Sequence, residues 1–231
     1  MGESLKEFVF LSGLPRAGST LLSSILNQNP LIYSEGNSAV CQLMWDVKQS
    51  CENQSWEQLA ANGRLQTKTD LLKSIPNIYY KDIDNKIIID KCRSWTLEDN
   101  VSLIKNYICS DPKIIVLTRP IDEIAKSFIK LGEKNNIAFK SEELLAPGSD
   151  PIMRSLDGVH WAKSNNSGEF LFIEYKDLVV RTEEVISSIY SFCGWSYFQH
   201  DFLNIVNNNP EDDSVYGLAG MHDIRSIPSF R

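Results

Sequence analysis

The sequence predicts an α/β fold in three layers, a central parallel sheet flanked by helices. Three observations carry that expectation. Short apolar runs recur along the chain, and each is continuously apolar rather than alternating, as in strands buried on both faces. Segments of helical period separate the runs. The first run turns through a loop containing glycine and proline directly into a helix, the start of a βαβ unit.

Taken in order, residues 8–12 (FVFLS) form the first strand and residues 18–29 the helix after it. A shorter run at 31–34 is a candidate further strand. Helical patterns at 39–51 and 68–81 fill a long crossover, and Pro76 is expected to break the second of them. The next strands are 86–90 (KIIID), 113–118 (KIIVLT) and 169–174 (EFLFIE). Helix 96–109 opens on Thr96-x-x-Asp99, a weak capping signal. Helix 121–135 follows Pro120, and proline suits a helix start. Helices 151–164 and 182–193 complete the set. Residues 141–150 are rich in proline, glycine, serine and acidic side chains and read as a surface connection rather than a mobile lid. The stretch after Asn207 has little periodicity but carries aromatic and basic residues. No repeat or linker divides residues 1–231, so a single domain is expected.

The composition narrows the function classes. A net charge of −7 argues against a dedicated nucleic-acid binder, although it allows a small basic pocket. No apolar run reaches the roughly 18–20 residues of a membrane span. MGESLKEF lacks the basic start of a signal peptide, and Lys6 stands where a myristoylation site has Ser or Thr. The five cysteines, at 41, 51, 92, 109 and 193, are widely spaced with no CxxC. They read as reduced thiols, and the expected location is the cytoplasm.

The loop GLPRAGST, Gly13 to Thr20, fits GxxxxG followed by Ser and Thr. Glycines let backbone N–H groups turn inward, and the helix N-terminus adds its positive end. This is a P-loop-like cradle, but a Walker A loop would carry Lys where Ser19 stands. The cation inside this loop is Arg16, whose guanidinium is a bidentate partner for phosphate or sulfate oxygens. A second anion site is read in IIVLTRPIDEIAKSF. Arg119 ends a strand there, and Ser127 follows about two helical turns on. Both would stand at the carboxyl edge of the sheet, where open α/β folds bind ligands.

GLPRAGSTLL resembles the 5′-phosphosulfate loop of the sulfotransferases, in the arginine form of the protein-tyrosine and other Golgi-type members. The stretch around Arg119 and Ser127 is similar to the family's 3′-phosphate motif, with Pro120 where relatives often have Asp or Asn. FIEYKDLVVRTEEVISSIYSFCG is similar to its strand-plus-tyrosine segment, and Tyr175 matches the tyrosine near the adenine. The resemblance implies the donor 3′-phosphoadenosine 5′-phosphosulfate (PAPS), the product adenosine 3′,5′-bisphosphate (PAP) and no metal requirement. It places Pro15, Arg16, Ala17, Gly18, Ser19, Thr20, Arg119, Ser127 and Tyr175 at the nucleotide.

In-line sulfuryl transfer needs a base for the acceptor and a cation for the leaving phosphate. Arg16 and Lys91 are the candidate cations, Lys91 because it emerges directly after KIIID. Asp90 reads as a structural partner of Lys91 or of the loop. Glu35, in NPLIYSEGN, is the candidate base, near the glutamate of tyrosine sulfotransferases but offset by one residue. His160, His200 and His222 lie outside the histidine context of the cytosolic enzymes, and His222 with Arg225 could close over the nucleotide. The expected acceptor is a small molecule, carbohydrate or peptide; oligomeric state stays open. A P-loop kinase of a small molecule and a non-catalytic nucleotide-binding module are the alternatives. Residues 37–84 and 141–150 are expected to shape the acceptor pocket, with Trp45, Trp56, Trp95 and Trp161 packed mostly in the core.

Overall fold

The computed structural model describes residues 6–224. Five strands form one parallel sheet: β1 (Glu7–Gly13), β2 (Ile32–Asn37), β3 (Ile87–Lys91), β4 (Ile114–Thr118) and β5 (Phe170–Glu174). Their order in space is β2-β3-β1-β4-β5. After β1 the chain builds one side of the sheet, then returns to build the other. The strand order therefore reverses at the β1/β4 boundary, where such sheets open a crevice at their carboxyl ends.

The helices are α1 (Ser19–Leu26), α2 (Val40–Gln49), α3 (Trp56–Ala61), α4 (Gln66–Tyr79), α5 (Glu98–Tyr107), α6 (Ile121–Lys134), α7 (Ser141–Leu144), α8 (Ile152–Ser164), α9 (Tyr175–Val180) and α10 (Thr182–Cys193). Every residue of β3 and β4 is buried. Phe10, Leu22, Ile88, Ile115 and Ile186 have no exposed surface and join sheet and helices into one core.

Three local expectations are corrected. Helix α4 runs through Pro76, because the proline is buried in its last turn and the helix ends three residues later. Thr96 does not cap a helix: residues Arg93–Thr96 form a 3₁₀ turn, and α5 starts at Glu98 with no side-chain cap. The 141–150 connection is more than surface, since Leu144 and Asp150 line the main cavity.

Asp90 is a hub of the core, not a partner of Lys91 or of the loop. Its carboxyl is buried and accepts from Ser38 Oγ at 2.7 Å, Tyr80 OH at 2.9 Å and Trp95 Nε1 at 2.6 Å. Burial raises its proton affinity, and these three donors work against that rise. Asp90→Ala would strand three buried donors and should cost about 3 kcal/mol or more of unfolding free energy. Urea denaturation checks this; a loss below about 1 kcal/mol would mean that the three donors find other partners.

Candidate active site

The loop after β1 and the loop after β4 face each other across the strand-order reversal. Gly13 lets β1 end directly against β4, and Leu14 N–H donates to the Leu117 carbonyl at 2.8 Å. Arg16 then adopts φ 58, a left-handed conformation that is uncommon away from glycine. This bend carries its guanidinium off the loop towards α6. Nε of Arg16 donates to Ser127 Oγ at 3.2 Å, and Nη1 donates to the Met221 carbonyl. Arg119 reaches the other way. Its Nη1 donates to the Arg16 carbonyl at 2.9 Å, its Nε pairs with Glu123 at 3.0 Å, and its guanidinium lies 4.3 Å from the Tyr175 ring centre.

Both guanidiniums thus line one cavity of about 490 Å³. Pro15, Gly18, Ser19, Thr20, Lys91, Arg93, Ser127 and Tyr175 line it too, with Asp150 and Asp223 as its carboxylates. No side chain caps the N-terminus of α1, whose first turn opens on this space. Four cations and an uncapped helix start line this space in a chain of charge −7. Those donors fit a molecule with anionic groups at two ends. Ala17, expected at the nucleotide, is fully buried in the core and does not line this cavity.

Details of pairing differ from the expected ones. Ser127 accepts from Arg16, the residue expected at the phosphosulfate, while Arg119 braces the loop and covers Tyr175. The Tyr175 ring also packs against Gly18, where a Cβ would fall 3.0 Å from Tyr175 Cδ2. One ring therefore ties the loop after β1 to the loop after β4.

Lys91, at the end of β3, is almost fully buried and pairs with Glu211 at 3.2 Å. Glu35 is elsewhere. It accepts from Tyr33 OH at 2.8 Å and lines an adjoining cavity of about 410 Å³ with Tyr79, Glu211 and Asp212. Asn37 and Tyr216 border both spaces. Among the histidines, His222 lines the main cavity, His160 is exposed on α8, and His200 is buried and hydrogen-bonded with Tyr190 OH. Arg225 lies outside the described residues. Trp45, Trp56, Trp95 and Trp161 line none of these three cavities; tyrosines 33, 79, 175 and 216 do. Sequence reasoning missed Asn37, Arg93, Glu211 and Tyr216. Asn37 and Arg93 each stand within two residues of a residue that it singled out. Glu211 and Tyr216 lie in an aperiodic segment whose one signal is its density of polar and aromatic side chains.

The pattern that defines the sulfotransferase family matches residues 9–199. The chain belongs to the sulfotransferase family. Its members are PAPS-dependent enzymes, and the P-loop kinase reading is set aside. No curated protein matches the chain. Among solved structures, this sulfotransferase is similar to the sulfotransferase domain from the Synechococcus PCC 7002 olefin synthase, at 18% identity and TM-score 0.60, over 100% of this chain and 87% of that one. It is also similar to the sulfotransferase domain from the curacin biosynthetic pathway, at 16% and 0.55, over 85% and 76%. A sulfotransferase from Alicyclobacillus acidocaldarius gives 13% and 0.53, over 91% and 87%. At such identities the likeness is one of fold. No helix among the described residues is long and apolar enough to cross a membrane, and no group of His, Cys, Asp or Glu among them could hold a metal ion.

Proposed function

We propose that this sulfotransferase is a single-domain cytoplasmic enzyme that moves the sulfuryl group of PAPS to a hydroxyl or amine of a small molecule, carbohydrate or peptide. The observation that carries the reading is the convergence of Arg16, Lys91 and Arg119 on one cavity at the β1/β4 reversal. The arginine in the first loop further favours kinship with the protein-tyrosine and Golgi-type branch.

PAPS supplies an activated sulfur and a good leaving phosphate. The chain supplies the rest. Residues 15–20 hold the phosphosulfate with backbone N–H groups, two hydroxyls and the uncapped end of α1. Arg119 and Ser127 hold the 3′-phosphate, and Tyr175 braces the adenosine side. Lys91 and Arg16 stabilise the charge that grows on the departing phosphate oxygen. Glu35, across Asn37 in the adjoining cavity, takes the acceptor proton. The acceptor then enters through that cavity.

PAP should stabilise the protein without magnesium, and far more than ATP does. At one hundred times its dissociation constant the expected gain is about 2.7 kcal/mol, or roughly 5–10 °C for a chain of this size. Differential scanning fluorimetry reads both ligands. Equal shifts, or a gain that appears only with magnesium, would favour a nucleoside-triphosphate enzyme instead.

A further inference from the structure

We propose that Glu211, carried on the segment after α10, is a positioning residue that keeps the Lys91 ammonium charged and aimed into the donor cavity. His222 and Asp213 hold Glu211 in turn. The inference rests on the reading of Lys91 as a donor-site cation. Glu211 itself lies beyond the 9–199 stretch that matches the family.

The case begins with burial. The Lys91 side chain is 5% exposed, and an ammonium that deep is costly unless a carboxylate meets it. Glu211 Oε2 does so at 3.2 Å. The same carboxylate is gripped from three further sides, by Asn37 N–H at 3.0 Å, Tyr216 OH at 3.2 Å and His222 Nε2 at 3.0 Å. His222 presents its other ring nitrogen to Asp213 Oδ1 at 2.6 Å, and Asp213 Oδ2 accepts from the His222 backbone N–H at 3.2 Å. The result is an alternating row, Lys91, Glu211, His222, Asp213, complete when both ring nitrogens carry a hydrogen.

The sheet edge is shaped to receive this side chain. At Gly36 a Cβ would fall 1.9 Å from Glu211 Cγ, so only glycine leaves room. The Glu-Gly pair of β2 therefore explains its glycine through a residue 175 positions further on.

The charges facing Lys91 are Glu211 from the C-terminal segment, Glu35 from β2 and Arg93 from the 3₁₀ turn. Burial pulls the lysine below its ordinary range and Arg93 adds to that; Glu211 is the strongest influence in the other direction. Burial likewise raises the Glu211 carboxyl, but Lys91, the Asn37 amide and His222 outweigh it and leave it below the usual range. Removing the carboxylate leaves burial and Arg93 opposed only by Glu35, so Lys91 would lose its proton at lower pH.

The test uses the full chain labelled with ¹³C at lysine Cε. The Lys91 resonance is identified by its absence in Lys91→Met and titrated through the alkaline range. In Glu211→Gln its midpoint should fall by about one pH unit or more, the effect of removing an opposite charge at contact distance. Glu211→Asp, which keeps the charge, should titrate near wild type, and Gly36→Ala, which evicts Glu211, should follow Glu211→Gln. By calorimetry, PAPS affinity of Glu211→Gln should fall about tenfold for each pH unit above its lowered midpoint while wild type is still flat. A merely structural role would weaken PAPS equally at every pH. An unmoved Lys91 midpoint in Glu211→Gln, with Lys91→Met still weakening PAPS, overturns the role of Glu211 alone. Full PAPS affinity in Lys91→Met overturns the donor role of Lys91 and the positioning role with it.

Discussion

Arg119→Ala is expected to weaken PAP by about 10–100-fold, the worth of one charged hydrogen-bonding partner to a phosphate. Adenosine 5′-phosphosulfate, which lacks the 3′-phosphate, should lose much less. The second half of the expectation is the demanding one, because Arg119 does more than face the cavity. Its Nη1 holds the Arg16 carbonyl, and its guanidinium covers Tyr175. Truncation therefore loosens the first loop slightly for any nucleotide. Arg119→Lys separates the two effects: it keeps a charge but loses the planar fork that spans carbonyl and ring. Calorimetry with both nucleotides gives the answer. Equal losses for the two would place the 3′-phosphate elsewhere and undo the two-ended grip.

Gly13→Ala should be the most damaging small substitution in the chain. Gly13 has φ 115, and a Cβ there would sit 2.1 Å from the Leu117 carbonyl oxygen and 2.6 Å from the Leu117 nitrogen. Both atoms are backbone of a central strand and cannot swing aside. The end of β1 would have to leave β4, breaking the Leu14 to Leu117 hydrogen bond and disordering the loop that carries Arg16. A loss above about 4 kcal/mol is expected, enough to unfold a typical domain of modest stability. Gly63→Ala is the control, with φ 64 and nothing within 4 Å of its Cβ; it should cost about 1–2 kcal/mol. Circular dichroism with urea unfolding compares them. A Gly13→Ala protein as stable as the control would mean that β1 and β4 do not meet at Gly13.

Legibility in the sequence followed burial. Ile87–Lys91 and Ile114–Thr118 are interior strands whose every residue is buried, so their isoleucine-rich starts, III and IIVL, stand out as apolar runs. At the edge, β2 alternates buried and half-buried residues and ends in polar Glu35, Gly36 and Asn37, so its run was legible only to Ser34. Pro76 misled because its cost depends on where in the helix it falls and what buries its ring. The 141–150 loop was read both as a surface connection and as a pocket wall; Leu144 and Asp150 do meet a cavity, but its composition, that of any exposed turn, could not say which one.

By itself the sequence determined the parallel sheet, the two loops that face each other at its carboxyl edge and the class of enzyme. Each of these rests on residues close together in the chain, where backbone geometry follows from local side chains. Only the tertiary structure decided which partners those residues take: Arg16 with Ser127, Arg119 with the Arg16 carbonyl and Tyr175, and Lys91 with Glu211. It also set Glu35 on the wall of an adjoining cavity that shares Asn37 and Tyr216 with the main one. The physical reason is separation. Glu211 stands 120 residues beyond Lys91, and no periodicity or motif encodes a contact that exists only once a buried charge must be neutralised.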